Sequence, residues 1–396
     1  MLTNSLEKRK VSFIAIAIYS VLIAPISVSM FGDGVSANYL FALLLLGPLK
    51  YVNNNDASVY LCYCIISFVL GIFFLSEGSV DFLLRQFISF GLFVAGLMIF
   101  FVKLPGQLDD FLHAVVLASV LYSFYALFAV MANNFSLLDM YMIKGGLRDY
   151  ITDWPQRYVI VLIFGFFIAL SNASVKKVWL IPALIILSCI FLTYTRAAWL
   201  AVVVGLVYHL VGFVTRGGWV AKVKIFSAFI CIGAVTLFFL RNNIIALQVG
   251  EAISVLGIDI ISVLISAGES ESIGSTSERL GLWTLMLEII SVNPITGSGF
   301  AGVYLFADGQ GSSHNQMLDI FFRTGVIGLI FYSWFWWKLL AFYKKYNRGI
   351  FSGLIAIFVF GIFHETTKLS YGAVVFFVLL NKMYEYKRLH LGNLES

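Results

Sequence analysis

The sequence predicts an all-α, polytopic integral membrane protein with about twelve transmembrane helices. Three observations lead to this fold class: the composition, the length of the apolar runs and the distribution of positive charge. Of the 396 residues, 60% are hydrophobic and only 12% are charged, about half the charged fraction of a soluble domain. A surface so poor in charge suits lipid, and about twenty apolar residues form a helix that crosses the hydrocarbon core.

Apolar runs separated by charged or turn-rich breaks predict the individual spans. The first run follows a basic stretch, but it is longer than the apolar core of a signal peptide and further spans follow it. We therefore expect it to be an uncleaved helix. The twelve predicted spans are 11–30, 35–52, 57–75, 82–102, 110–131, 157–173, 177–194, 197–214, 223–240, 324–343, 349–364 and 369–385.

Positive charge orients these spans. With a cytoplasmic N terminus, 17 of the 26 Lys and Arg residues lie at cytoplasmic ends and loops, although the largest hydrophilic segment is on the other side. The positive-inside rule therefore predicts that both termini are cytoplasmic. Seven of the nine cations on the outer side are arginine, against four of the 17 inside. Arginine binds phosphate in a bidentate way, so the bias indicates an anionic ligand, although structural ion pairs or chance would produce it too.

The layout divides the chain into three parts. Residues 1–240 carry spans one to nine, residues 241–323 form a long outer loop, and residues 324–396 carry the last three spans and a cytoplasmic tail. Within the loop we expect 244–267 to lie on the membrane surface or to be partly re-entrant, because a full span there would invert every later loop. Apolar residues at helical spacing predict an amphipathic helix over 277–291.

Two arginines on the outer side stand in positions suited to an anion. Arg196 lies in the tight turn between spans seven and eight, where an interfacial arginine beside Trp199 is the structural alternative. Arg279 is expected to open the amphipathic loop helix, one turn before Trp283. The free N–H groups and positive dipole end of a helix N terminus favour anions.

Two further outer patches contain polar residues. Residues 293–299, Asn-Pro-Ile-Thr-Gly-Ser-Gly, include Asn293, Gly297 and Gly299, and the glycines allow the backbone to approach a ligand closely. The alternative is a simple turn-rich loop. His314 precedes the tenth span at the predicted water–lipid boundary, where an imidazole can exchange a proton near neutral pH. Asn315 or Asp319 is expected to orient it, and a structural histidine is the alternative.

Together these motifs resemble the bacterial O-antigen polymerase and O-antigen ligase superfamily in order and spacing. The residues that carry the resemblance are Thr-Arg-Ala-Ala-Trp, the Arg279…Trp283 pair, Asn-Pro-x-x-Gly-x-Gly and His-Asn-x-x-Leu-Asp. The similar region runs from about Arg196 to Gly328. The resemblance implies a GT-C-like helical fold with a long periplasmic loop that carries short helices between spans nine and ten.

The resemblance also implies the activity: metal-independent, inverting glycosyl transfer at the periplasmic face of the inner membrane, without a cofactor. The donor would be a glycan on undecaprenyl diphosphate, and the acceptor a glycan or lipid A core. Carried over to this sequence, Arg196 and Arg279 contact the diphosphate and His314 is the general base. We expect the remaining substrate-binding residues to be Arg148, Trp154, Arg157, Tyr158, Trp283, Asn293, Gly297, Gly299 and Asn315.

Several alternatives stay open at this point. A polymerase would extend a lipid-linked chain, whereas a ligase would transfer the finished chain to lipid A core, and both belong to lipopolysaccharide biosynthesis. A transporter or flippase for lipid-linked sugars is a third possibility, although its site would lie near the midplane. A chain-length regulator is a conceivable protein partner. The net charge of +5 comes from cytoplasmic loop cations, and no basic domain indicates nucleic acid.

Overall fold

The fold is described from a computed structural model of the chain. It describes residues 2–24, 27–30, 33–36, 54–75, 80–132, 155–193, 195–214, 269–303, 306, 313–364 and 371–391. Among the predicted features, the span 223–240 and the apolar segment 244–267 lie outside these residues. So do the span 35–52, apart from its first two residues, and most of residues 132–156, which connect the fifth and sixth predicted spans on the outer side.

Helices account for almost all of the described residues, and a short hairpin is added to them. Long apolar stretches with few glycines or prolines form helices because helical hydrogen bonds satisfy every backbone group within the segment. In chain order the elements are α1 (Leu2–Leu22), β1 (Ser27–Met30), β2 (Asp33–Ser36), α2 (Asn55–Leu75), α3 (Val80–Met98), α4 (Leu108–Ala132), α5 (Pro155–Ala173), α6 (Leu180–Leu192), α7 (Arg196–Val214), α8 (Glu269–Val292), α9 (Gln316–Tyr346), α10 (Arg348–Phe363) and α11 (Tyr371–Leu391).

The first predicted span is wrong at its C-terminal end. We expected a helix over 11–30, but α1 ends at Leu22, and β1 and β2 form an antiparallel hairpin that pairs Val28 with Val35. Pro25 follows the helix in the sequence, and a helix ordinarily ends before a proline. The predicted helical fold class thus holds for the described residues, with one short two-stranded hairpin that was not predicted.

The helical character of the other predicted spans within the described residues is confirmed. Of those helices, three are long and apolar enough to cross a membrane: 55–73 in α2, 108–129 in α4 and the whole of α9. Shorter apolar helical segments of 10–17 residues lie in α1, α3, α5, α6, α7, α8 and α10. The total of twelve spans stays a prediction.

The described chain divides into two compact units. One comprises Met1–Leu206 and Met286–Ser396, and the other Val207–Leu285. In the first unit, α5 packs against α4, α6, α10 and α11, and α9 packs against α2, α10 and α11. Tyr158, Phe164 and Phe167 of α5 are buried in the resulting core.

The predicted cytoplasmic end of α9 is tied to two other helices by one basic side chain. Lys338 Nζ donates to Asp56 Oδ2 at 2.6 Å and to the Tyr384 hydroxyl at 3.0 Å. The Tyr384 hydroxyl in turn donates to the Asp56 carboxylate. This network joins α2, α9 and α11, so α9 is held at this end while its other end carries the motif residues.

Candidate functional site

The centre of the candidate site is a break in α9 that a neighbouring loop completes. Gly325 has φ 63° and ψ −170°, which is not helical. A break of this kind leaves backbone groups without helical partners, and these must be satisfied elsewhere. The loop 293–301 does so by backbone hydrogen bonds. They run from Ser298 N to Phe322 O (2.6 Å), from Phe300 N to Arg323 O (3.1 Å) and from Val326 N to Pro294 O (2.9 Å).

Gly297 and Gly299 have a different role from the predicted one. Both have positive φ, 65° and 58°. A Cβ on Gly297 would lie 2.4 Å from Phe322 O, and a Cβ on Gly299 would lie 2.4 Å from Gly71 Cα. The prediction that these glycines admit a ligand is therefore corrected, because the backbone that approaches them belongs to the protein itself.

Helices α2 and α3 also hold the loop through side chains. Ser67 Oγ donates to Thr296 O at 2.7 Å, and Gln86 Nε2 donates to Gly299 O at 2.6 Å. The single hydroxyl proton of Tyr63 goes to the carbonyl of Ile295, at 2.7 Å, or to that of Thr324. These contacts anchor the loop on a rigid surface, which suits a segment that positions chemistry beside it.

A buried ion pair links the start of α9 to the same loop. Arg323 Nε donates to both carboxylate oxygens of Asp319, at 3.1 and 3.0 Å. Arg323 Nη1 donates to Ser89 Oγ at 2.5 Å and to Phe300 O at 3.1 Å. Asp319 is thus the partner of Arg323. This arginine is one of the seven outer arginines that led us to predict an anionic ligand, and it belongs to a structural ion pair. The i,i+4 spacing of the two residues is the sequence signal that could have predicted it.

His314 lies at the tip of a tight turn just before α9. Its φ of 52° is in the left-handed region, which side chains other than glycine adopt rarely. Ser313, fully buried, closes the turn: its Oγ donates to Asn315 O at 3.0 Å and accepts from Asn315 N at 3.3 Å. Non-glycine residues in this conformation cost about 1–3 kcal/mol and cluster at functional sites. The half-buried imidazole of His314 is therefore presented by a strained backbone.

Asn315 has a structural role in the same turn. Its Oδ1 accepts from Leu318 N at 3.0 Å, so Asn315 is the N-cap of α9. Its amide is a preferred N-cap group because it satisfies a backbone N–H of the first turn. The cap of Asn315 and the ion pair of Asp319 both fix the helix on which the His314 turn rests. That Asn315 or Asp319 orients His314 stays a prediction.

The ring found beside His314 is a second histidine that the sequence did not single out. The centroids of His314 and His364 are 6.0 Å apart, with an edge-to-face angle of 78°. His364 follows α10 directly, and its ring stacks on Phe360 at 4.7 Å and 19°. The two histidines are fifty residues apart in the chain, so no local motif could have connected them.

Arg196 is the first residue of α7. Ala198 N donates to Thr195 O at 2.9 Å, which marks the first turn of this helix. The first N–H groups of a helix have no partner within it and favour an anion. Trp199 packs its ring against Phe191 at 5.7 Å and donates from Nε1 to Ile190 O at 3.4 Å. The tryptophan thus holds the turn between α6 and α7 together.

Arg279 does not open its helix, contrary to the prediction. The helix predicted over 277–291 lies within α8, which begins at Glu269, so Arg279 falls well inside it. The argument from free helix N–H groups therefore applies to Arg196 and not to Arg279. The helix begins earlier than predicted because the mostly polar residues 269–276 belong to it. Trp283 is half-buried on the same helix.

The other predicted outer residues are placed as follows. Arg148 and Trp154 lie outside the described residues. The side chain of Arg157, in the first turn of α5, is likewise not described. Tyr158 is only 1% exposed, and its ring packs at 4.3 Å from that of Tyr122. The proposed stacking of Tyr158 on sugar is corrected, because this ring belongs to the helical core.

Within the described part of the chain, no group of three or more His, Cys, Asp or Glu side chains is arranged to hold a metal ion. Metal-independent catalysis stays a prediction.

A comparison with known proteins finds a protein family that is similar to part of this chain. Residues 181–333 match a family model described as O-antigen ligase. The matched segment contains Arg196, Arg279, the loop 293–301 and His314. No curated protein matches the chain.

The match supports an O-antigen ligase-type or polymerase-type function, and with the apolar helices it indicates a membrane protein. The resemblance to the O-antigen polymerase and ligase superfamily is thereby confirmed, and residues 181–333 of this membrane protein are similar to the O-antigen ligase family.

Proposed function

We propose that this protein transfers a glycan from undecaprenyl diphosphate to an acceptor sugar hydroxyl at the periplasmic face of a bacterial inner membrane. The observation that carries the proposal is the presentation of His314 inside the matched segment. Its imidazole sits on a strained turn that the N-cap Asn315 fixes to the start of α9. Strain held in place by surrounding structure is typical of a residue that acts on a substrate.

The chemistry follows from the residue types. The acceptor oxygen attacks the anomeric carbon, the bond between that carbon and the diphosphate oxygen breaks, and the configuration inverts. The proton of the acceptor hydroxyl passes to the imidazole of His314, which contributes about 10²–10⁴-fold as a general base. The departing undecaprenyl diphosphate gains negative charge, which the guanidinium groups of Arg196 and Arg279 stabilise.

The acceptor decides between the two forms of this activity. We propose the polymerase form first, in which the protein adds a lipid-linked repeat unit to another lipid-linked chain. The alternative form is a ligase that transfers the chain to lipid A core, the activity that the description of the matching family names. Both forms use the same donor and the same displacement at the anomeric carbon.

The experiment uses the purified full-length protein in lipid nanodiscs with a lipid-linked repeat unit. A polymerase produces a ladder of longer lipid-linked saccharides from this donor alone. A ligase leaves the donor unchanged until lipid A core is added, and then shifts the core to higher mass. If neither mixture yields a new glycosidic bond, the proposed function is wrong. Transfer in nanodiscs, which enclose no compartment, excludes pure transport.

The proposal also assigns positions to the lipid and sugar parts of the substrates. The polyprenyl tail of the donor lies in membrane lipid between helices, while its sugars reach the water-facing side. Arg148, Trp154 and Arg157 are assigned to donor or acceptor sugars, and Trp283 to a sugar ring. A chain-length regulator would act on the polymerase form by setting when the growing chain is released.

A further inference from the structure

We propose that His364 is a positioning residue for His314, a role that rests on the proposed function. The observation is an array of three rings at the end of α10 and the start of α9. Phe360 stacks on His364, and His364 meets His314 edge to face. Aromatic rings prefer these offset-stacked and perpendicular arrangements because of their quadrupoles.

The three rings connect His314, which lies on a turn, to the packed helix α10. Phe360 is buried and belongs to α10, which packs against α5 and α9. The backbone N–H of His364 donates to Phe360 O at 3.0 Å, so the His364 backbone continues the hydrogen bonding of the last helical turn. A general base works only when its ring is held in the correct direction, and His364 provides a fixed surface for that ring.

Histidine at position 364 suits this place because the ring has two neighbours of different character. The His364 ring stacks on the phenyl ring of Phe360. It also meets the imidazole ring of His314 in an edge-to-face arrangement. Both histidine side chains are only half-buried, so an aromatic ring with a polar edge can pack there without losing contact with water. The contact with His314 therefore depends on an aromatic ring at position 364, and a phenyl group there should reproduce most of it.

The test compares four single variants of the full-length protein in nanodiscs, His314→Ala among them, with a lipid-linked saccharide as donor. We expect His364→Ala to lower kcat about tenfold, the size of one aromatic contact, with an unchanged KM for the donor. His364→Phe should recover most of kcat. The matched control is His113→Ala: His113 is exposed on α4 and its ring lies 5.8 Å from that of Trp179. This control should keep wild-type kinetics.

The outcomes separate this inference from the proposed function. If His314→Ala is inactive while His364→Ala is as active as wild type, the positioning role is wrong and the proposed function stands. If His364→Phe is as impaired as His364→Ala, ring packing is not the cause and the inference is also overturned. If His314→Ala itself keeps full transfer activity, His314 is not the base and the positioning role of His364 is wrong as well. The proposed function would be overturned only if the wild-type protein formed no new glycosidic bond.

Discussion

Arg323 Nε lies 3.1 and 3.0 Å from the two carboxylate oxygens of Asp319, and the two side chains are only 3% and 0% exposed. The same guanidinium binds the carbonyl of Phe300 in the loop that completes the break at Gly325. The ion pair therefore joins the helix that follows His314 to the loop rich in glycine, and it makes the stability of the fold and the geometry of the site depend on one contact.

Asp319→Asn should destabilise the protein strongly. Removing one partner of a buried ion pair leaves the other charge uncompensated, which costs about 3–5 kcal/mol. The measurement is the temperature at which half of the detergent-solubilised protein remains monodisperse. Glu288→Gln, at an exposed position of α8, is the control and should leave this temperature unchanged. Equal behaviour of the two variants would show that the buried pair contributes nothing.

Gly299→Ala and Gly71→Ala should each destabilise the protein. A Cβ at either residue would lie about 2.5 Å or less from the Cα atom of the other glycine, and overpacking of this kind costs about 1–3 kcal/mol. Because both variants disturb one crossing, their effects in the double variant should not add. The same thermal measurement applies. Gly91→Ala, where a Cβ meets no atom within 4 Å, should be neutral or slightly stabilising.

Arg196→Lys and Arg279→Lys should retain charge and lose most of the transfer activity. Lysine presents a point charge and not the planar fork that binds a diphosphate in a bidentate way. The rate of transfer from the lipid-linked donor is the measurement. Arg388→Lys, exposed on the predicted cytoplasmic end of α11, is the matched control. Wild-type rates in both test variants would remove the arginines from the diphosphate site.

The orientation of α9 has a direct test in intact cells. Ser291 is exposed just before the loop 293–301, and Tyr346 is exposed at the far end of α9. In a background that lacks the four native cysteines, Ser291→Cys should react with a membrane-impermeant maleimide from the periplasm. Tyr346→Cys should react only after the cells are opened. The reverse pattern would place the site on the cytoplasmic side.

Apolar length and positive charge were enough to predict most of the helices, because a membrane segment has to satisfy its backbone within itself. They were not enough to predict the break at Gly325. A glycine inside an apolar run is equally consistent with an unbroken helix, and the break depends on hydrogen bonds with a loop 25 to 31 residues earlier in the chain. The true start of α8 was missed for a similar reason, since a polar stretch is compatible with both a cap and a helix.

At the site, the sequence indicated His314 because a polar motif stood at the start of an apolar run. It did not indicate His364, whose neighbours in the chain form no motif and whose importance arises from a contact across fifty residues. It also assigned Gly297 and Gly299 to a ligand, because a glycine that meets a substrate and one that meets another backbone have the same sequence pattern. Only packing distinguishes them.

The most direct test of the account is the transfer of labelled saccharide by the purified protein before and after His314→Ala. The donor is the lipid-linked repeat unit, supplied with and without lipid A core, and donor binding is measured separately on the same preparation. We expect the wild-type protein to form new glycosidic bonds and the variant to bind donor normally but to lose at least about 100-fold in rate. Undiminished transfer by His314→Ala would contradict the role of this histidine as the base, and with it the proposed mechanism.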